Sequence, residues 1–457
     1  MTVSIVLFTS DLRLHDNPAL RAALHDADRI VPLFVYDDGV RATGFAVPNR
    51  SAFLADCLTD LDAGLRKRGG RLVVRSGDVV DQVHRVATET GATRVHVAAG
   101  VSRYATRREE RLRAALGDTD CRLVVHDAVV TAVTPGELLP SGKDHYAVFT
   151  PYFRRWTSAG VRDVLAAPRT VRVGDVTSER VRPRKEIDDV SPGLDTGGED
   201  AGRKRLRSWL SGGVADYEDG QDDIAHDATS RLSPHLHFGT LSAAEVINEA
   251  SREGSSGAQA FIRQLAWRDF HHQVLAARPD AAAHDYRSRG DRWRTNKKET
   301  AAWLEGRTGY PFVDAAMRQL SHEGWMHNRG RMVVASFLTK TLYVDWRVGA
   351  RHFLSLLVDG DVANNQLNWQ WAAGTGTDTR PNRVLNPVIQ GKRFDPGGSY
   401  VRRWLPELAD VPDRYIHEPW KLRDQDGAGA SADRLDYPDP IVELAEGRAR
   451  FEQARGA

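Results

Sequence analysis

Four short stretches combine residue types that could do chemistry. Thr229-Ser230-Arg231-Leu232-Ser233-Pro234 gathers three hydroxyls and one guanidinium. Ser233 before Pro234 predicts an N-cap with proline at the first helical position. Such a helix start suits a phosphate or pyrophosphate, or it is a plain capped helix. Asp359-Gly360-Asp361 is followed by Asn364-Asn365 and Trp369-Gln370-Trp371. Two carboxylates and two adjacent amides among apolar neighbours need hydrogen-bond partners. A heterocycle with many hydrogen-bonding edges would supply them. The alternatives are a metal, although no His or Cys joins the cluster, and a solvated turn with an Asx cap. In Trp325-Met326-His327-Asn328-Arg329-Gly330-Arg331-Met332, the two arginines point to opposite sides. One could pair with a carboxylate such as Asp359 and the other with a nucleic-acid phosphate, or both form a solvated face. Finally, Gln264, Trp267, Arg268 and His271 share one helix face by i, i+3, i+4 spacing. An aromatic plate beside a cation suits base stacking and phosphate contact.

The elements that must position these residues fall into two unlike parts. Segments 3–8, 30–36, 71–75, 94–99 and 122–127 are short, β-branched and non-alternating, as in strands buried on both faces of a parallel sheet. Helical patterns lie near 17–27, 50–68, 78–90 and 103–116. Residues 1–130 therefore predict an α/β domain with a doubly wound parallel sheet. No GxGxxG follows any strand, so a dinucleotide site of the usual kind is unsupported there. Residues 131–205 predict an interdomain connection, rich in Pro, Gly and charge from about 166. Residues 206–457 predict an all-α domain. Its helical spacing covers 203–211, 241–252, 257–276, 299–305, 312–322, 328–343 and 348–358. The acidic tail after 404 is expected to pack loosely on the surface.

Composition excludes several classes. With 457 residues, 41% apolar and 27% charged, this is an ordinary globular chain of two or three domains. No run of ~18 apolar residues could span a membrane. The start, MTVSIVLFTSDLR, lacks the basic n-region of a secretory signal. Two cysteines, Cys57 and Cys121, cannot build a disulfide framework or a zinc cage, which points to a reducing cytoplasm. Net charge is +1, yet residues 262–403 hold 22 Lys/Arg against 13 Asp/Glu. That asymmetry suggests an anionic partner at one face and salt-sensitive binding.

Taken in order along the chain, these motifs resemble the DNA photolyase/cryptochrome family, closest to its class I cyclobutane pyrimidine dimer photolyases. The resemblance runs from TSDLRLHDNPAL (9–20) to LDYPDPIVE (435–443). It is strongest in TSRLSPHLHFG (229–239), RTGYPFVDAAMRQL (307–320), WMHNRGRM (325–332) and DGDVANNQLNWQWAAGTGTD (359–378). It implies FAD bound in the helical domain. Photoexcited FADH⁻ would pass an electron to a flipped-out dimer; extrusion is expected because a stacked base cannot reach a buried flavin, and photolyases are among the known flippers. Tyr217, Thr229, Ser230, Arg231, Leu232 and Ser233 would hold the FAD phosphates. Asp359, Gly360 and Asp361 would contact flavin and ribose, with Arg331 paired to Asp359. Asn328 would border cofactor and substrate, and Asn365 would face flavin N5. Gln264, Trp267, Arg268, His271, Asn328, Arg329, Met332, Trp371 and Gln390 would line the DNA mouth. Trp369, Trp346 and Trp293 look like the family's photoreduction chain.

The resemblance also implies a second, light-harvesting chromophore in the N-terminal domain. Arg103-Tyr104-Ala105-Thr106-Arg107-Arg108 lacks the carboxylate of the folate pattern, and VPNRSAFLADCL (47–58) looks like the deazaflavin subgroup. 8-Hydroxy-5-deazaflavin is therefore favoured over 5,10-methenyltetrahydrofolate, with Asp37 and Arg50 as contacts. The partner is UV-damaged DNA, and a monomer is expected. Two alternatives are a cryptochrome-type sensor and a (6-4) photoproduct photolyase. Asn365 is what photolyases carry where plant cryptochromes have Asp. Gln264 stands where class I enzymes have Glu and (6-4) enzymes have Gln. Asn328 and Met332 stand where (6-4) enzymes have His.

Overall fold

The computed structural model describes residues 1–425 and 435–456. Five strands, β1 (Val3–Leu7), β2 (Arg29–Asp37), β3 (Val73–Gly77), β4 (Arg94–Ala98) and β5 (Arg122–His126), form one parallel sheet in the order β3-β2-β1-β4-β5. The predicted α/β class and all five strands are present. The reason for the continuous apolar runs is visible in the packing. Ile5, Leu7, Val31 and Leu33 enter one core with the helices Val79–Thr90 and Arg103–Leu116. Val6, Phe8, Ile30 and Phe34 enter another with Pro48–Arg66. Successive residues point to opposite faces, and here both faces are covered. The helix Pro18–Asp26 starts on Asn17, which accepts from Leu20 N, and Val79–Thr90 starts on Asp78, which accepts from Val80 N and Asp81 N.

The expected connection is not structureless. The helix Phe149–Ala159 lies inside it, and Phe149, Tyr152 and Trp156 join the helical-domain core with Trp209, Phe261 and Phe270. Val173 adds a parallel bridge to Ile30. Buried Asp269 fastens this segment: its Oδ2 accepts from Ala132 N, Val133 N and Trp156 Nε1, each at 3.0 Å. The next helix, Glu199–Gly212, begins before residue 206.

The second part is helical, as expected, with more helices than the periodicity indicated. Ser256–Ala277, Pro311–Glu323, Trp346–Leu356 and Val362–Ala373 surround the chemistry-bearing motifs. The stretch predicted as one helix over 328–343 is an α-helix, Asn328–Ser336, followed by a π-turn, Phe337–Thr341. The tail differs most from expectation. Leu405, Leu408, Ile416 and Phe451 are fully buried, and Leu444–Arg455 packs on the π-turn. Most of DQDGAGASADR, residues 426–434, lies outside the described residues. Among the described residues, no helix is long and apolar enough to cross a membrane.

Close backbone approach joins the two parts. Buried Arg13 donates to Gly239 O at 2.9 Å and Val129 O at 3.0 Å. Gly239 has φ +68°, and a Cβ there would sit 1.9 Å from Ser10 O. Only glycine fits both constraints.

Candidate active site

Asp359 sits after the Trp346–Leu356 helix, with its side chain 3% exposed. Arg331 Nη2 donates to its Oδ2 at 2.8 Å, and Arg331 Nε donates to Met326 O. Asp359 Oδ1 is buried and has no hydrogen-bond partner among the described residues. Gly360 follows because a Cβ would meet Arg50 Nη1 at 2.6 Å. Asp361 is the N-cap of Val362–Ala373 and accepts from Asn364 N and Asn364 Nδ2, both at 2.7 Å. Burial opposes its ionisation, but the His272 imidazole at 3.3 Å, Arg268 and His237 outweigh that and hold the carboxyl well below the usual range.

Asn364 is thereby oriented with its carbonyl free for His271 Nδ1, 3.0 Å away. Burial pushes the His271 pKa down to about 4, so the ring is neutral. With Nδ1–H donating, Nε2 is a buried acceptor without a described partner. His327 has the opposite tautomer. Its Nδ1 accepts from Arg329 N at 3.1 Å, so Nε2–H is a buried, unmatched donor; burial brings this ring to about 4 as well. Asn365 is buried, and its Nδ2 donates to Ala350 O at 3.1 Å and Gln366 Oε1 at 2.9 Å.

The 229–233 segment is organised differently from the expectation. Leu232, not Ser233, occupies the cap position of Ser233–Phe238, and no side chain caps that helix. Ser233 Oγ instead accepts from Trp325 Nε1 at 3.2 Å. Arg231 has φ +49° and is no free anion receptor: Asp227 and Glu323 both accept from it, the latter at 3.1 Å, and it lies 4.2 Å over the Trp325 ring. Thr229 Oγ1 donates to Asp227 Oδ1 at 3.0 Å, and Ser230 Oγ accepts from Leu232 N at 3.3 Å. Tyr217 stands edge-on to Trp209 and Phe261, half-buried, with burial pushing its phenol up to about 12.

The predicted DNA face is divided. Gln264 is exposed, with Nε2 3.3 Å from Gln221 Oε1. Trp267 is half-buried, and one face is covered by Phe149 at 3.7 Å and 7°. Arg268 is not a surface cation: it donates to Val130 O at 2.7 Å and Leu236 O at 3.2 Å. His271 faces inward. On the neighbouring helix, exposed Asn328 touches half-buried Met332, Nδ2 to Sδ 3.8 Å. Arg329 turns inside, pairing with Asp222 at 2.5 Å and stacking on Phe394 at 4.2 Å. Trp371 is half-buried. Gln390 is buried with Oε1 unmatched, while the adjacent Ile389 is 62% exposed. Arg268, His271 and Arg329 thus deviate from the sequence expectation for one reason: backbone carbonyls, an amide and an acid from distant segments claim them.

Trp369 is buried, edge-on to Phe353 at 4.9 Å and Trp303 at 5.9 Å. Trp346 is fully buried, with Nε1 donating to Asp285 Oδ1 at 2.8 Å. Trp293 is half-buried and lines a cleft of about 640 Å³ with Arg294, Lys297 and Asp345. In the α/β domain, Asp37 accepts from Gly39 N at 2.9 Å and from Tyr104 OH. Arg50 is buried. It donates to Leu357 O at 2.7 Å and to Phe45 O, and so bridges to the helical part.

Asp359 Oδ1 and His271 Nε2 are buried acceptors and His327 Nε2–H is a buried donor, each without a described partner. A flavin and its ribose carry both kinds of group, so this chemistry fits FAD. Comparison with known proteins points the same way. Residues 4–169 match the DNA photolyase model, and residues 261–457 match the FAD binding domain of DNA photolyase. The chain is 69% identical to the deoxyribodipyrimidine photo-lyase of Streptomyces griseus over 100% of both chains. Among solved structures, a bacterial class III photolyase from Agrobacterium tumefaciens superposes with TM-score 0.90 at 33% identity, covering 100% of this chain and 97% of that one. A cryptochrome from Synechocystis sp. PCC6803 does so with TM-score 0.90 at 31% identity, covering 99% of each. The chain belongs to the DNA photolyase family.

Proposed function

We propose that this protein repairs cyclobutane pyrimidine dimers in DNA in a light-driven reaction, with FAD held in the helical domain. The observation that carries the reading is Asp359, ion-paired through one oxygen and unmatched through the other, beside Gly360. When bound, reduced FAD supplies the electron that light delivers to the dimer. Asp359 and His271 Nε2 accept from the cofactor, and His327 Nε2–H donates. Arg331 orients the Asp359 carboxyl through the bond to its Oδ2. Asn365 and Asp361 lie on the helix edge assigned to the flavin ring and ribose. Tyr217, Thr229 and Ser230 are assigned to the phosphates, with Arg231 positioning the loop through Asp227 and Glu323.

The dimer enters over Trp267, Trp371, Asn328 and Met332, with Gln264 reading a thymine edge. Gln offers a donor and an acceptor for thymine N3–H and O4. Cyclobutane dimers are favoured over (6-4) lesions because Met332 cannot donate a proton and His327 turns its ring inward. Trp369, Trp346 and Trp293 form the path by which the resting cofactor is recharged. For the antenna we favour 8-hydroxy-5-deazaflavin at the C-terminal edge of the sheet, where the strand order turns between β1 and β4. Half-buried Arg108, whose Nε is unmatched, lies on the helix Arg103–Leu116 bordering that edge. The protein is read as a monomer of a reducing cytoplasm.

The test is illumination with oligonucleotides carrying each lesion. Dimer splitting is expected; repair of the (6-4) lesion alone overturns the assignment. An absorption spectrum of the purified protein identifies flavin and antenna.

A further inference from the structure

Trp346, the middle tryptophan of the recharging path, is fully buried and yet lies against charge. Its Nε1–H donates to Asp285 Oδ1 at 2.8 Å. The same oxygen accepts from Arg347 Nη2 at 2.9 Å, and the Arg347 guanidinium lies over the Trp346 ring, 4.7 Å from its centroid. Asp345 shares that guanidinium, with Oδ1 3.1 Å from Nη1. One cation is therefore set between two carboxylates around a single indole. Trp369 has a different setting, with the uncharged rings of Phe353 and Trp303 edge-on to it.

Asp285 is held in place by its main chain. It follows the short turn Pro279–Ala282, which is strapped to the helix carrying Trp369. Gln366 Nε2 donates to Ala282 O at 2.7 Å, and Gln370 Nε2 donates to Ala281 O at 2.7 Å and to His284 O at 3.1 Å. Gln370 Oε1 accepts from Tyr286 N at 2.7 Å. A side-chain change at Asp285 leaves all of these bonds in place. Gly349, three residues on from Trp346 along the same helix face, packs against the Trp369 ring.

We propose that Asp285 gives the recharging path its direction by stabilising a hole on Trp346, so that the electron that Trp346 passes to Trp369 does not return. The proposal rests on the Trp369–Trp346–Trp293 reading. An oxidised indole carries a positive charge, and its N–H becomes a charge-assisted donor. An anionic acceptor at 2.8 Å favours that state, and burial leaves the attraction weakly screened. The guanidinium over the ring opposes it, but it is farther away and divided between two carboxylates, so the local sum is one negative charge. The step balances with one electron moved. A Trp369 radical cation and a neutral Trp346 become a neutral Trp369 and a Trp346 radical cation, and the indole proton stays on its nitrogen. Asp285 acts through Trp346 and is a positioning residue.

The experiment separates the two electron steps in holoenzyme carrying oxidised flavin. The flavin fluorescence lifetime reads electron arrival from Trp369. The yield of the long-lived flavin–tryptophan radical pair, read by transient absorption, shows whether the hole has moved on. In Asp285→Asn the lifetime should match the wild type while the yield falls several-fold, because the hole stays on Trp369 and recombines. Asp285→Glu should restore much of the yield. Arg347→Met removes the opposing cation and should leave the yield at the wild-type level or above it, a sign that lost packing would not give. A wild-type yield in Asp285→Asn overturns the proposal and leaves the tryptophan path standing. A changed lifetime in Asp285→Asn, no recovery in Asp285→Glu, or an equal fall in Arg347→Met marks disturbed packing and also overturns it. Absence of any tryptophan radical in the wild type removes the path and the proposal together.

Discussion

Asp359 can be tested at the level of single atoms. Its Oδ2 is held by Arg331 at 2.8 Å and its Oδ1 awaits a donor. Deleting either partner of a largely buried pair leaves a charge uncompensated. Asp359→Asn or Arg331→Ala should weaken FAD binding by about 2 kcal/mol, roughly thirtyfold in Kd. The check is the flavin-to-protein absorbance ratio after gel filtration, and full occupancy in both variants would sink the assignment. Gln264→Glu should leave dimer repair unchanged or improve it, because a charged acceptor strengthens the bond to thymine N3–H; a large loss in repair yield would count against Gln264 as the reader of the base edge. The Asp359–Arg331 partnership was legible because a carboxylate among apolar residues needs a cation. The fates of Arg268, His271 and Arg329 were not. Helical spacing says which residues share a face, not which part of that face another segment covers, and Val130 O and Asn364 lie 138 and 93 residues from the side chains they engage.

Among the elements, the pair Trp346–Leu356 and Val362–Ala373 carries Trp346 and Trp369. Their close packing depends on Gly349, where a Cβ would stand 2.1 Å from the Trp369 ring. Gly349→Ala should destabilise the protein by about 1–3 kcal/mol through overpacking, read by thermal unfolding, and an unchanged midpoint would contradict the close approach. Trp369→Phe should abolish flavin photoreduction by external thiol while chemically reduced enzyme still repairs; photoreduction at the wild-type rate would remove Trp369 from the path. The five strands were legible because apolar runs covered on both faces have few other homes. The Val362–Ala373 helix was not. Ala363, Asn365, Leu367, Trp369, Gln370, Ala372 and Ala373 are buried, so it presents no apolar stripe for periodicity to detect. The tail was misjudged for a related reason: its acidic composition concealed Leu405, Ile416 and Phe451, each fully buried.

At the scale of the whole molecule, neutral buried histidines tie stability to pH. His96, His235, His237, His271, His327 and His352 are each lowered by burial from near 6.5 to about 4. The unfolded chain therefore binds more protons than the folded one between those values, and stability falls as pH drops through that window. Asp314 acts in the opposite sense. Burial raises its carboxyl to about 6, so its contribution is present below the usual carboxylate range and lost as pH rises through 6. Burial raises Asp11, Asp37, Asp60, Glu109, Glu199, Asp227, Asp269 and Asp395 in the same sense, so the histidines decide the sign only in the upper part of the window, above the range where carboxyls titrate. The placement of the histidines decides what fails first. His235 packs on Phe53 and His237 on Phe45, across the seam between the α/β and helical parts, while His271 and His327 lie at the site proposed for the cofactor. The unfolding midpoint should therefore drop as pH falls below about 6.5, and FAD release should accompany it, because neutral buried imidazoles stand both at the seam and at the site proposed for the cofactor. Differential scanning calorimetry with flavin fluorescence checks both. A midpoint that stays flat across that window would show these rings to be protonated in the fold, and flavin retained after the seam has opened would separate the two roles.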